Sequence, residues 1–516
     1  MKKIISIIVA LMMLASLCTV MALNTSAAWG GTVAASYAGG TGTEADPYLI
    51  SSAAELAFLA SNVNGGEKYV GQYFKLTADV DLGEIEWDPI GNYANGTEEF
   101  HGHFDGAGHT VSGLKIDASS SYRGLFGRIV SATVKNLNVK GPMVSGYIEA
   151  KTTYVGGIVA YGINGTQIIN CTADIGLVKG TTVGGIVGRM QNMSGYTEWS
   201  KVNGCFFTGK VEGINIKNSF VGGIVGVCGA TVVSYCGNEG DVVSNGATSA
   251  ATAGGILGCQ GAESVPAHIY NCYNHGNISA ISTSNATYAG GIVGRAAHVE
   301  NYAEIATVAN CFSTTKPIVT DDAGSPIDGK YGSIAGHIRY LASIKNCYTS
   351  IPLTEMSEVG TDDLTSLEAD SVTILTEDQM KGADAVATMK LNEAWIAGSG
   401  YPTIDAEKAQ TAPNEVPATE DTTPAPEETT TPAPEVTTPA SEETTTPAPE
   451  VTTPAAEDTT PAPTEDETTP APTVDDTDDN QGGGSKIILF VLIGVVAVGA
   501  VVAIVIVVVS EKKKAK

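Results

Sequence analysis

Two histidines and an aspartate alternate with apolar and small residues in Phe100-His101-Gly102-His103-Phe104-Asp105. On an extended strand alternate side chains share a face, so His101, His103 and Asp105 would project together. Two imidazoles and a carboxylate at that spacing could hold Zn2+ or a similar ion. The Gly106-Ala107-Gly108 that follows supports a second reading, in which Asp105 caps a turn and the three groups line a solvated face. Glycoside hydrolysis needs a pair of carboxylates. Asp79, Asp81, Glu84, Glu86 and Asp88 are available, but they crowd one short segment, and Asp79 and Asp81 alternate with Val80 and Leu82 as on an ordinary strand with one wet face. No catalytic residue is assigned, and no motif calls for a cofactor.

A repeated phrase must position whatever chemistry there is. It reads Val155-Gly156-Gly157-Ile158-Val159, and returns around Gly185, Gly223, Gly255 and Gly291, more loosely around Gly332-Ser333-Ile334 and earlier as Gly124-Leu125-Phe126-Gly127. A repeat every 28 to 38 residues indicates stacked units. A second phrase keeps pace and ends in Cys171, Cys205, Cys236, Cys272, Cys311 and Cys347, with Leu137 in the first copy. A position that takes Leu or Cys is apolar and buried, so these six are expected to form an internal ladder of free thiols. Cys228 and Cys259 follow consecutive Gly-Gly phrases and are expected to stack on each other.

Short segments rich in Val, Ile, Thr and Tyr, punctuated by Gly and Asn, read as strands and turns. The fold class expected is all-β, a parallel β-helix in which equivalent residues stack about 4.8 Å apart. Residues 37–123 would form an N-terminal cap and first coils, with a helix over Ala53–Ala60; 124–350 the repeats; and 351–410 a C-terminal cap, with a helix from Thr376 to about Leu391 and a closing strand at Tyr401-Pro402-Thr403-Ile404.

Stacking would also assemble residues that are scattered in sequence. Tyr161, Tyr196, Trp199 and Tyr302 fall in the segments after the Gly-Gly phrases. Together they would make an exposed row able to stack on sugar rings, unless each tucks against the solenoid wall. Arg189, Lys201, Lys210, Lys217 and Arg295 could likewise converge into the basic site of a lyase, a reading by fold analogy only.

The ends suggest a location. Lys2 and Lys3, the apolar run Ile4–Leu17 and small residues at 26–28 read as a signal peptide, 1–28. Residues 411–485 form a Thr/Pro/acidic stalk expected to be disordered, with 14 of the 22 prolines and 18 acidic residues over 411–480. Ile487–Val509 carries no charge and could span a hydrocarbon core of about 30 Å as one transmembrane helix, with the basic tail 510–516 in the cytoplasm. This is the layout of a single-pass type I protein of the cell membrane, its ectodomain outside, in a bacterium with a thick wall. Most of the net charge of −28 belongs to the stalk; the scarcity of basic patches argues against nucleic acid.

The Gly-Gly-Ile-Val-Gly phrase, the Asn-Cys phrase, the segment from Phe100 to His109 and the Gly400-Tyr401-Pro402 ending resemble bacterial GLUG-motif surface proteins over roughly residues 40–404. That resemblance implies a right-handed parallel β-helix and a surface location, and it transfers no catalytic residue. The function expected is an adhesin or glycan-binding module displayed on a wall-spanning stalk. Its partners would be an extracellular polysaccharide or a host or bacterial surface protein. A carbohydrate-active enzyme and a passive spacer are the alternatives.

Overall fold

The computed structural model describes residues 29–412, apart from 118–119, 147–151, 194, 215–217, 261–265, 285, 298–305, 328–329, 340–341, 352–358 and 362–371. The expected signal peptide, the stalk beyond residue 412, the apolar run 487–509 and Tyr302 lie outside the described residues. Among the described residues no helix is long and apolar enough to cross a membrane.

Each repeat writes four short strands. One coil consists of Tyr154–Gly156, Val159–Ile163, Gln167–Ile169 and Thr172–Gly180, and the next begins at Thr182. Equivalent strands pair in parallel from coil to coil, as in the row Val155, Val183, Val221, Ala253, Ala289. Four parallel sheets therefore run the length of the molecule. Numbered in the order the chain crosses them, sheets 1 to 4 contain seven, eight, ten and fourteen strands among the described residues. The protein is an all-β parallel solenoid, as the repeat period implies.

Inside, equal residues stack on equal residues. Ile158, Ile186, Ile224, Ile256, Ile292 and Ile334 are fully buried, and so are the six ladder cysteines. Burying one such isoleucine stabilises by roughly 1.5–3 kcal/mol, so the ladder is a main cohesive element. The glycines set the spacing. A Cβ at Gly185 would lie 2.1 Å from the carbonyl oxygen of Gly223, the equivalent residue one coil on. A Cβ at Gly188 would lie 2.6 Å from the backbone nitrogen of Val155, so sheet 2 passes directly against sheet 1 at this corner.

The Asn of the Asn-Cys phrase has its own purpose. Asn136, Asn170, Asn271, Asn310 and Asn346 all adopt positive φ, between 49° and 56°, at the corner between sheets 3 and 4. Asparagine tolerates this left-handed backbone better than most residues. The amides also bridge coils: Asn170 Nδ2 donates to Asn136 Oδ1 at 2.9 Å, and Asn346 Nδ2 to Asn310 Oδ1 at 2.7 Å. The turn then aims the following cysteine inward.

Helix α1, Ala53–Asn64, closes the N-terminal coils; its Leu56, Leu59 and Val63 join the solenoid core. It starts at the expected residue, capped by Ser52, and the backbone N–H of Ser51 donates to Glu55 Oε2 at 2.6 Å. It runs four residues past the expected end because Asn62, Val63 and Asn64 continue to pack before Gly65 stops it.

The C-terminal segment departs further from expectation. In place of a helix from Thr376 to Leu391 there are turns and a single short helix α2, Ala385–Thr388. Gly382, at φ 89°, interrupts the stretch. The strand at Thr403–Ile404 forms as expected, antiparallel to Trp395–Ile396. Val372–Ile374 first adds a strand to sheet 4 beside Cys347–Thr349. The chain then turns back along the outside of sheet 4. Leu375, Met380, Met389, Leu391, Trp395 and Ile404 pack on Tyr235, Tyr273, Phe312 and Tyr348 as a second apolar cluster. Asn392 Nδ2 donates to the Tyr235 hydroxyl at 2.7 Å, and farther back Asn203 Nδ2 donates to the Ala409 carbonyl at 3.3 Å. Residues 375–412 form a flank strap.

Candidate ligand-binding corner

At the corner between sheets 1 and 2 the Gly-Gly turn folds so sharply that outward side chains of both sheets meet. Tyr122, Tyr154, Thr182, Phe220, Thr252 and Tyr288 share one outward row on sheet 1. Arg128, Tyr161, Arg189, Val227, Cys259, Arg295 and His337 share the facing row on sheet 2. All five arginines of the chain lie on strands of these two sheets.

The N-terminal half of the corner is a closed network. Tyr122, Tyr154 and Tyr161 stack on one another, with ring centroids 5.1–6.0 Å apart. The Arg128 guanidinium lies 4.2 Å from the Tyr93 ring centroid and 5.3 Å from that of Tyr161; Arg189 lies 5.5 Å from Tyr154. Desolvated cation–π contacts of this kind contribute up to about 2 kcal/mol each. Arg128 Nε donates to Glu99 Oε1 at 2.6 Å, and Glu99 also accepts from Lys68 Nζ at 3.0 Å and faces His101 Nε2 at 3.2 Å. Burial alone would raise the Glu99 carboxyl, but these donors and the Arg128 charge outweigh it and hold it below the usual carboxylate range. Arg189 donates to Gln191 Oε1 at 2.9 Å and to the Tyr154 hydroxyl at 3.2 Å. Burial pushes the Tyr161 phenol up to about 12.

The C-terminal half is built from the same rows with different contents. Arg295 sits 6.0 Å from the Tyr288 ring centroid, and Tyr288 stacks on His337 at 4.4 Å. Cys259 is the neighbour of Arg295 in register, and burial pushes its thiol up to about 11. Thr252 pairs with Tyr288 in sheet 1, and its methyl group packs against Gly294, next to Arg295.

The residues singled out from sequence are dispersed. Tyr161 is in the corner, 6% exposed. Tyr196 stands exposed on a loop, its hydroxyl 3.2 Å from Ser131 Oγ. Trp199 stacks on His268 of sheet 3, centroids 4.9 Å apart. The three do not form one row.

His101, His103 and Asp105 each have other partners. His101 faces Glu99, and His103 stacks on Tyr73 at 4.5 Å. Asp105 accepts from the Ala107 N–H at 2.8 Å and from Asn136 Nδ2 at 3.0 Å, the turn-capping role. Burial lowers both histidines, which favours their neutral forms. Among the described residues no group of three His, Cys, Asp or Glu side chains is placed to hold a metal. The acidic segment is likewise spent on turns and caps: Asp79 accepts from the Thr110 N–H and Glu86 from the Asp117 N–H, each at 2.9 Å.

The ladder of Cys171, Cys205, Cys236, Cys272, Cys311 and Cys347 consists of free, buried thiols, and burial raises Cys171, Cys205, Cys272 and Cys347 well above the ordinary thiol value. Cys228 and Cys259, by contrast, do not stack on each other. Cys228 pairs with Gln260 and points into the core; Cys259 pairs with Val227 on the outward row. They lie one residue apart in register, and a slip of one residue reverses the face.

Of the basic residues singled out from sequence, Arg189 and Arg295 share the outward row of sheet 2, Lys201 and Lys210 lie on sheets 3 and 4, and Lys217 is outside the described residues. Arg128 was missed, although its signal was present. Arg128, Arg189 and Arg295 each stand two residues after the inward apolar residue that closes the Gly-Gly phrase, so a repeat alignment places them at one position.

No family model matches the chain. It is similar to the "Putative Gly-rich membrane protein" of Evansella cellulosilytica, 36% identical over 143 residues, which is 27% of this chain and 16% of that protein. It is also similar to "Halomucin" of Haloquadratum walsbyi, 33% identical over 172 residues, 31% of this chain and 2% of that protein. The chain thus spans a small part of these curated relatives. A crystal structure from Bacteroides ovatus, described as a "putative immunoglobulin A1 protease", aligns over 72% of this chain and 95% of that one at 21% identity and a TM-score of 0.43.

Proposed function

We propose that the protein is a cell-surface binding module whose solenoid captures an extracellular polysaccharide along the corner between sheets 1 and 2. The observation that supports it is the pair of facing rows. Partly exposed Tyr122, Tyr154 and Phe220 stand in one row along sheet 1, beside guanidinium groups at Arg128, Arg189 and Arg295 on sheet 2. Aromatic faces stack on sugar rings, and guanidinium groups donate to sugar oxygens in a fixed fork. The surface location is inferred from the secretion signal, the stalk, the apolar run 487–509 and the similarity to a membrane protein. The coil is taken as right-handed, the usual hand of parallel strand connections.

The test is retention of the full chain, purified in detergent, on immobilised plant, mucin and bacterial polysaccharides, with assay for released fragments. Retention without fragments, weakened by Tyr154→Ala or Phe220→Ala, is the expected result. Fragment release would replace binding with catalysis. Retention only on protein-coated surfaces would move the reading to a protein adhesin.

A further inference from the structure

The two halves of the corner differ in what satisfies their polar groups. Arg128 has Glu99 and Arg189 has Gln191 and Tyr154. The Arg295 Nε is buried without a hydrogen-bond partner, and among the described residues no carboxylate pairs with the guanidinium. Facing it across the corner, Thr252 is fully buried and its hydroxyl is unpartnered. An unmet buried polar group costs about 1–3 kcal/mol, so native proteins keep few of them, and each calls for an explanation. Here two lie on facing rows, beside the ring of Tyr288. The neighbour of Arg295 in register, Cys259, is a neutral thiol and brings no negative charge that would compete for the guanidinium.

We propose that Arg295 and Thr252 bind the carboxylate of an acidic sugar, a uronic acid unit of an extracellular polysaccharide, with the Tyr288 ring packing against the sugar. The chemistry is specific. A guanidinium presents a planar fork of N–H donors that matches a carboxylate, and a hydroxyl adds one more donor. Arg295 is partly exposed whereas Thr252 and Tyr288 are covered, so the carboxylate would meet the guanidinium first and reach the Thr252 hydroxyl as that side chain swings outward. This inference rests on the polysaccharide reading above and narrows it to one half of the corner and one class of sugar.

The test uses the full chain in detergent, with EDTA present to remove ion-bridged binding. Polygalacturonate, alginate and hyaluronan are compared with fully methyl-esterified pectin and dextran. The expected result is tighter binding to at least one carboxylated polymer than to the neutral ones. Arg295→Gln should weaken it about 10- to 100-fold, the range for a charge-assisted hydrogen bond. Arg295→Lys should recover part of that loss, and raised salt should weaken wild-type binding. Thr252→Val carries the same test, with a smaller loss, should Arg295→Gln fail to fold. Equal binding to esterified and free polymer, or unchanged binding by both variants while Tyr154→Ala abolishes it, would overturn this inference and leave the corner reading standing. Retention on no polysaccharide at all removes the corner reading itself.

Discussion

The two halves of the corner are made by the same turn, on the same two sheets, from rows in strict register, yet they have opposite polar economies. In the N-terminal half the Glu99 carboxylate collects Arg128, Lys68 and His101, and three tyrosines fill the space between sheets. In the C-terminal half Val227 and Cys259 replace two large residues of the row, and among the described residues the Arg295 Nε and the Thr252 hydroxyl have no hydrogen-bond partner. A repeat fold allows this because the core ladders set the coil geometry, while each outward position can change without moving its neighbours. The N-terminal half is therefore expected to carry more of the stability, and the C-terminal half the choice of an acidic over a neutral sugar.

The largest effect should come from what the halves share. Gly223→Ala would place a Cβ 2.1 Å from the Gly255 carbonyl oxygen and 2.4 Å from the Asn238 side chain. Backbone cannot yield as a side chain can, so a loss of about 3 kcal/mol or more is expected, read as a lowered urea midpoint. A near-wild-type midpoint would show that the coil spacing is not set by the glycines.

Next is Glu99→Gln, which leaves Arg128, Lys68 and His101 together without their carboxylate. Breaking a mostly buried pair costs about 3 kcal/mol, and the two partners are 12% and 15% exposed. The same carboxyl gives a pH dependence. Its folded value is lowered from 4.5, so its stabilisation is present above that value and is lost as pH falls below it. The variant should unfold with a flatter acid limb; an identical limb would remove Glu99 as the source.

The strap supplies a comparison outside the corner. His275, under Tyr401, is lowered from 6.5 to about 4 by burial and by Lys381. A neutral imidazole is thus favoured in the folded state, and its contribution is present above pH 6.5 and falls away between 6.5 and about 4. Proteolysis of residues 375–412 should quicken over that window, and His275→Phe should remove the dependence. The smallest stability change should be that of Arg295→Gln, within about 0.5 kcal/mol of wild type, because the change breaks no protein hydrogen bond. A loss as large as that of Glu99→Gln would make Arg295 a structural residue and erase the contrast.

The coil period, the isoleucine ladder and the burial of the six cysteines could all be read from the repeats, because a core position shows its constraint in every copy. The asparagine corner was visible as letters but its reason was not, since positive φ is a backbone property. The pairing of Cys228 with Cys259 failed by a single residue, which spacing counted from the glycines does not resolve. The corner was illegible for another reason. Tyr93 and Glu99 come from the segment between Ile90 and Phe100, and Arg128 and Tyr161 from successive strands of sheet 2, so no single copy of the repeat contains them all. The helix expected over 376–391 failed because tertiary packing on Tyr273 and Phe312 decides that segment's shape, not its local propensity.

The strap also determines how the molecule takes a mechanical load. It ends beside Asn203, well inside the stack, and not at the last coil. A pull on the chain beyond Ala412 therefore acts first on that junction and peels the strap from its far end toward Tyr348, contact by contact, before any tension reaches the coils. Residues 375–412 would then pay out roughly 130 Å of slack at about 3.5 Å per residue. In single-molecule extension this is expected as a low-force event ahead of solenoid unravelling, absent when Trp395→Ala has loosened the strap. Under the cell-surface function proposed above, such a fuse would let a bound surface jerk against the anchor while the corner stays at rest.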